Sequence, residues 1–173
     1  MRLLFISLFL SAINMATAQK NDQLFLEAAI TKLQNSKDYT MKVANLMPDE
    51  KFVFKPVPDE MSFGEQLLHI SSNLNWLTST YITNIKSPVT KAETQVQKKE
   101  EIIQVLNKTY EYAISSLKSF EEKHLGDTVK FFAGLKTKLQ IINLISDHQT
   151  HHRAQMIVYL RLNGIKPPDY IGW

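Results

Sequence analysis

Three of the five histidines in this 173-residue chain fall within five positions, in Asp147-His148-Gln149-Thr150-His151-His152-Arg153. His148 and His152 are four apart, so on a helix they stand one turn from each other on the same face. Two neutral imidazoles so placed can close on one metal ion. A third donor is expected at His69, which gives a three-imidazole site drawn from two helices. Three protein ligands and a free position describe a catalytic metal, whereas a structural zinc normally has four ligands. The chain has no cysteine, so thiolate ligands and thiol nucleophiles are excluded. The expected cofactor is a divalent ion such as Zn, Ni or Fe, and imidazole ligation alone does not choose among them.

At 100° per residue, Ile141, Ile145, His152, Gln155 and Tyr159 lie within about 60° of His148. Both histidines therefore belong to an apolar stripe, where imidazole nitrogens must find partners. His151 falls to the other side, near Leu144, and is not taken as a ligand. His69 shares a face with Gln66, Asn73, Trp76 and Thr80 at the edge of its own helix's stripe. Asp147 and Gln155 are candidates for contacts to the ligands or to a substrate. His124, at a charged helix end, suits a surface role beside the C-terminal dipole.

Three readings follow from these residues. In the first, the open positions take water or another nucleophile, and the metal acts as a Lewis acid toward a small electrophilic substrate. In the second, the bundle binds a metal or small ligand without turnover, a reading favoured because no Glu or Asp is spaced to serve a metal-bound water as general base. In the third, the histidines are core residues satisfied by hydrogen bonds. Gln149 stands where a His-Glu-x-x-His protease would carry its base, and neither a Gly-x-Ser-x-Gly elbow nor a phosphate-binding glycine loop occurs.

Four helical segments must hold these residues. The first spans about 21–46, with Leu24, Phe25, Ala28, Ala29, Leu33, Tyr39, Val43 and Leu46 on one side and Pro48 after it. Pro56 and Pro58 keep 51–60 irregular. Ser62-Phe63-Gly64-Glu65 is a capping box that opens the second helix, whose stripe is Phe63, Leu67, Ile70, Leu74, Leu77 and Tyr81. The third is expected over 93–123, with Ile102, Val105, Leu106, Tyr110, Ala113, Leu117 and Phe120 inward. Residues 126–134 read as an extended crossover. Thr137-Lys138-Leu139-Gln140 opens the fourth helix, and Asn163-Gly164 ends it. The fold class is all-α, a four-helix bundle.

Residues 1–18 read as a signal peptide: Arg2, an apolar run from Leu3 to Leu10, then Ala16-Thr17-Ala18. That run is shorter than the about 20 residues of a membrane span. The expected mature domain, 19–173, is then secreted or periplasmic, with no stable membrane insertion. Loss of Arg2 lowers the formal charge from +3 to +2, which gives no case for a nucleic-acid partner. An exposed Trp173 leaves room for a homodimer. The small-molecule substrate is not legible in sequence patterning.

These residues also resemble a known family. Met47-Pro48-Asp49-Glu50, Phe54-Lys55-Pro56 and the run from Met61 to Ile70 are similar to the first and second helical regions of DinB-like (DinB/YfiT) proteins. The run from Asp147 to Gln155 resembles that family's last-helix motif, followed by Tyr159-Leu160-Arg161 and Gly164-Ile165-Lys166-Pro167-Pro168. Ala154 departs from it, since Arg-Gly-Gln is common there. The resemblance implies a four-helix bundle with a crossover between helices three and four. It also implies divalent-metal ligands at His69, His148 and His152. Thiol-dependent S-transferases and isomerases are among the family's activities.

Overall fold

A computed structural model describes the backbone of residues 2–173 and the side chains of 21–173 other than Thr94. The expected leader, residues 1–18, lies outside the described side chains. Four helices carry the chain: α1 (Arg2–Leu46), α2 (Phe63–Leu77), α3 (Lys99–Lys118) and α4 (Lys138–Leu162), with β1 (Thr128–Phe131) and β2 (Gly134–Thr137) between the last two. The architecture is all-α apart from that small antiparallel hairpin. Around the bundle, α1 and α2 each pack on both α3 and α4. Among the described residues, no helix is long and apolar enough to cross a membrane.

Both expected capping boxes form. The Ser62 hydroxyl accepts from the Glu65 N–H while Glu65 accepts from the Ser62 N–H. Thr137 and Gln140 do the same at the start of α4. Each side chain thereby satisfies backbone donors that a helix start leaves without partners. At the far end of α4, Gly164 adopts φ +73°, the left-handed conformation that closes a helix most easily with glycine.

The α2 stripe is buried as its spacing requires: Phe63, Leu67, Ile70, Leu74 and Leu77 are at most 1% exposed. Leu33 and Val43 of α1, Leu106 and Tyr110 of α3, and Ile141 and Met156 of α4 complete the core. Each large apolar side chain so buried contributes about 1.5–3 kcal/mol relative to exposure. Leu24 and Leu46, expected inward, are instead exposed; Leu26 and Met47 are buried in the same core.

Three local differences from the sequence reading stand out. The third helix is shorter than 93–123, because residues 93–95 form a separate turn and the chain is extended at Val96 and Lys98 before Lys99. Glu93 accepts from the backbone and hydroxyl of Thr90 and from Lys108, which holds that turn apart from the helix. After Leu77 the helix widens into a π turn over Thr78–Ile82. The extended segment before α4 pairs with itself, Phe131 opposite Gly134, and Gly134 supplies φ +92° at the turn.

The proline-containing loop before α2 matters for the site. Phe63 N–H donates to Phe54 O at 3.0 Å and Gly64 N–H to Phe52 O at 2.9 Å, which folds the loop back over the helix start. A Cβ on Gly64 would stand 3.1 Å from Ile102 Cδ1 and 3.3 Å from Phe52 O. Only a residue without a side chain allows that approach easily. The fold-back sets Glu60 and Met61 beside the polar face of α2.

Candidate metal centre

Polar side chains of α2 and α4 meet along one seam. On α2 these are Gln66 and His69, three apart; on α4 they are His148, His152, Gln155 and Tyr159, at intervals of four, three and four. The two helices run antiparallel here, so Tyr159 meets Gln66, His152 meets Gln66 and His69, and His148 meets His69. His69, His148 and His152 each present one ring nitrogen, and these atoms lie within 4.8 Å of one another. Ring centroids are 4.9 Å apart for His69 and His148, 4.5 Å for His69 and His152, and 4.4 Å for His148 and His152.

The nitrogens face each other. His148 Nε2 is 3.1 Å from His69 Nε2, and two lone pairs at that distance require a proton or a cation between them. Two nitrogens sharing a tetrahedral ion at about 2.0–2.1 Å stand about 3.3–3.4 Å apart. The donor set therefore fits a small divalent ion. Two buried polar atoms, His148 Nδ1 and Gln155 Oε1, have no hydrogen-bond partner among the described residues.

His152 is oriented by a network that sequence reasoning did not find. Its Nδ1 is 2.6 Å from Gln66 Oε1. The Gln66 amide nitrogen donates to Glu60 Oε1 and to Tyr159 Oη, both at 3.3 Å. Tyr159 in turn donates to Met61 O at 3.0 Å. An ionised carboxylate only accepts, so the amide must turn its NH2 to Glu60 and its oxygen to the ring. His152 then carries its proton on Nδ1, and Nε2 keeps the lone pair that faces the other two histidines. Gln66 was visible on the histidine face of α2. Glu60 was not, because its place depends on the loop fold-back.

Gln66→Leu is expected to weaken metal affinity by about 10–100-fold, the usual effect of removing a partner that orients a ligand. Titration calorimetry on the refolding-competent variant checks it.

Burial also sets the charge state. His148 is lowered to about 4 by desolvation, then by the neighbouring His152, His69 and His151. His152 is lowered to about 4 by desolvation and by His69 and His151. His69, the most solvent-open of the three, is lowered for the same reasons. Neutral imidazole, the form that binds metal, is thus favoured at pH 7. Because these folded values lie below the unfolded value near 6.5, the unfolded chain binds more protons between about 4 and 6.5. Metal-free protein should therefore lose stability as pH falls through that window, and His148→Gln should flatten the loss; urea midpoints at pH 7 and pH 5 measure it.

The remaining sequence candidates separate. Asp147 is exposed and does not join the histidine group. Gln155 lies against His152. His151 is exposed, its ring 4.8 Å from that of His152, and its nitrogens are outside the trio. His124 pairs with Asp127 at 2.8 Å on the surface.

The DinB family model matches residues 16–171. The chain belongs to the DinB family. Among curated proteins it is similar to the uncharacterized protein YjoA of Bacillus subtilis strain 168, 23% identical over 139 residues that cover 78% of this chain and 88% of that protein. Among solved structures it is similar to a DinB-like protein from Bacillus cereus, with TM-score 0.73, 20% identity and coverage of 84% of this chain and 97% of the other. The structure of B. subtilis YjoA gives TM-score 0.69 at 18% identity over 83% and 96% of the two chains. At these identities the structural likeness establishes the fold, and this DinB-family chain shares it.

Proposed function

We propose that this DinB-family chain is an exported, divalent-metal-dependent enzyme that transfers a thiol or water to a small electrophilic substrate. The observation that carries the reading is the convergence of three imidazole nitrogens within 4.8 Å, one of them held in its ligating tautomer by Gln66. His69, His148 and His152 would hold the ion, which when bound supplies Lewis acidity toward a nucleophile at neutral pH. Gln66 orients His152, and Tyr159 and Met61 fix Gln66 in turn. Glu60 places a negative charge within electrostatic reach of His152. One of its oxygens accepts from Gln66 and the Met61 N–H, and the other is the proton acceptor we assign. In this reading the loop before α2 supplies the base that the sequence spacing does not offer.

Turnover of a panel of electrophilic thiol acceptors, esters and amides tests the reading. Chelator-sensitive turnover, reduced about 10²–10⁴-fold by Glu60→Gln when the variant is assayed at saturating metal, is the expected result. Tight metal binding with no turnover across the panel would instead favour a metal-binding module, which the same three histidines would support.

A further inference from the structure

Phe132 stands at the tip of the β1–β2 hairpin and is 84% exposed, while its neighbour Phe131 is 7% exposed and belongs to the core. The core therefore needs one of these rings and not the other. Hairpin tips ordinarily carry small or polar residues, so the turn does not ask for Phe132 either. The ring is nonetheless held in place. It packs on Phe131 with centroids 4.3 Å apart, and it stacks on Trp76 at 26° with centroids 6.4 Å apart. Trp76 also stacks on Phe131 at 5.8 Å, and Tyr81 meets both of them edge-on at 5.8 Å. Lys136 donates to Ala133 O and Leu135 O, which ties down the tip that presents Phe132.

These rings share a helix face with the histidine of α2. Trp76 is seven residues beyond His69, which advances the helix by about 10.5 Å and returns to within about 20° of the same direction. His69 is more open to solvent than the buried His152, so the centre is approached from this face. Tyr81 is carried by the π turn Thr78–Ile82, and such departures from regular helix are frequent at functional sites.

Apolar surface left exposed in a cluster marks a place where something binds. Trp76 is 38% exposed and Leu135 71%, and an aromatic side chain offers at most about 150–250 Å². The patch is well short of the about 800 Å² per partner that a stable protein interface covers. Its size and flat faces suit a small molecule. We propose that Trp76 and Phe132, backed by Tyr81 and Phe131, form a stacking platform for a planar aromatic group of the substrate. The inference rests on the metal-dependent reading above and adds a substrate class to it. That class is electrophiles bearing an aromatic ring about 10 Å from the metal, two helical turns along α2.

The test is calorimetric titration of the zinc-loaded chain with phenylbutanethiol and, separately, with butanethiol, whose sulfur can bind the metal in both cases. Wild type and Phe132→Ser are compared, and the exposure of residue 132 lets the variant keep its fold. Wild type should bind the phenyl compound at least about tenfold more tightly than the alkyl one. Phe132→Ser should lose most of that preference while its zinc affinity stays unchanged. Equal affinities, a preference that Phe132→Ser retains, or binding of neither thiol by wild type that holds its zinc would overturn the platform and leave the metal site standing. Wild type that takes up no zinc would overturn both. Sedimentation velocity of the same two proteins covers the other occupant. Self-association that Phe132→Ser abolishes would assign the patch to a second copy of the chain and overturn the proposal.

Discussion

Adding Zn²⁺ to metal-free protein at 100 times its dissociation constant should raise the unfolding midpoint by about 5–11 °C. A ligand that binds only the folded state contributes about 2.7 kcal/mol at that ratio, and a domain of this size gains about 2–4 °C per kcal/mol. The folded state alone brings His69 together with His148 and His152, which are 79 and 83 residues away in the chain. The unfolded chain can offer only the i, i+4 pair, so its competing affinity is small. Scanning calorimetry with and without metal measures the shift. No shift with any of Zn²⁺, Ni²⁺ or Fe²⁺ would support the reading in which the three rings are core histidines. The buried His148 Nδ1 does not separate the two readings, because the nitrogen that faces His69 is Nε2 and Nδ1 has no partner among the described residues in either case.

Removing a single ligand should have the second large effect. His69→Ala is the cleanest variant, since His69 is the most solvent-open of the trio and its truncation leaves the Gln66 network untouched. Removal of a second-sphere partner costs about 10–100-fold in affinity, and loss of a direct donor should exceed the upper end of that range. His148→Ala should behave alike. His152→Ala should also lose some stability without metal, because Gln66 Oε1 would be left buried without its donor. Isothermal titration of the variants beside wild type gives the affinities, and denaturation of the metal-free forms gives the stabilities.

How much of this was legible beforehand depends on whether the deciding contact is local. The two capping boxes are four-residue patterns, and both formed where Ser62 and Thr137 placed them. The histidine pair on α4 follows from the helical period, and the seam position of His69 from its place at the edge of an apolar stripe. The third helix was drawn too long because the Lys/Glu-rich residues before Lys99 are compatible with a helix. A turn tied down by Thr90, Glu93 and Lys108 took them instead. The roles of Gln66 and Glu60 could not be read, since they rest on Tyr159, 93 residues from Gln66, and on a loop bent by its prolines.

Elemental analysis of protein purified without nickel chromatography tests the central claim most directly. One equivalent of divalent metal per chain in wild type, falling below about a tenth in His69→Ala and His148→Ala, is the result this account requires. Metal-free wild type that takes up none on incubation, or unchanged occupancy in the two variants, would contradict it.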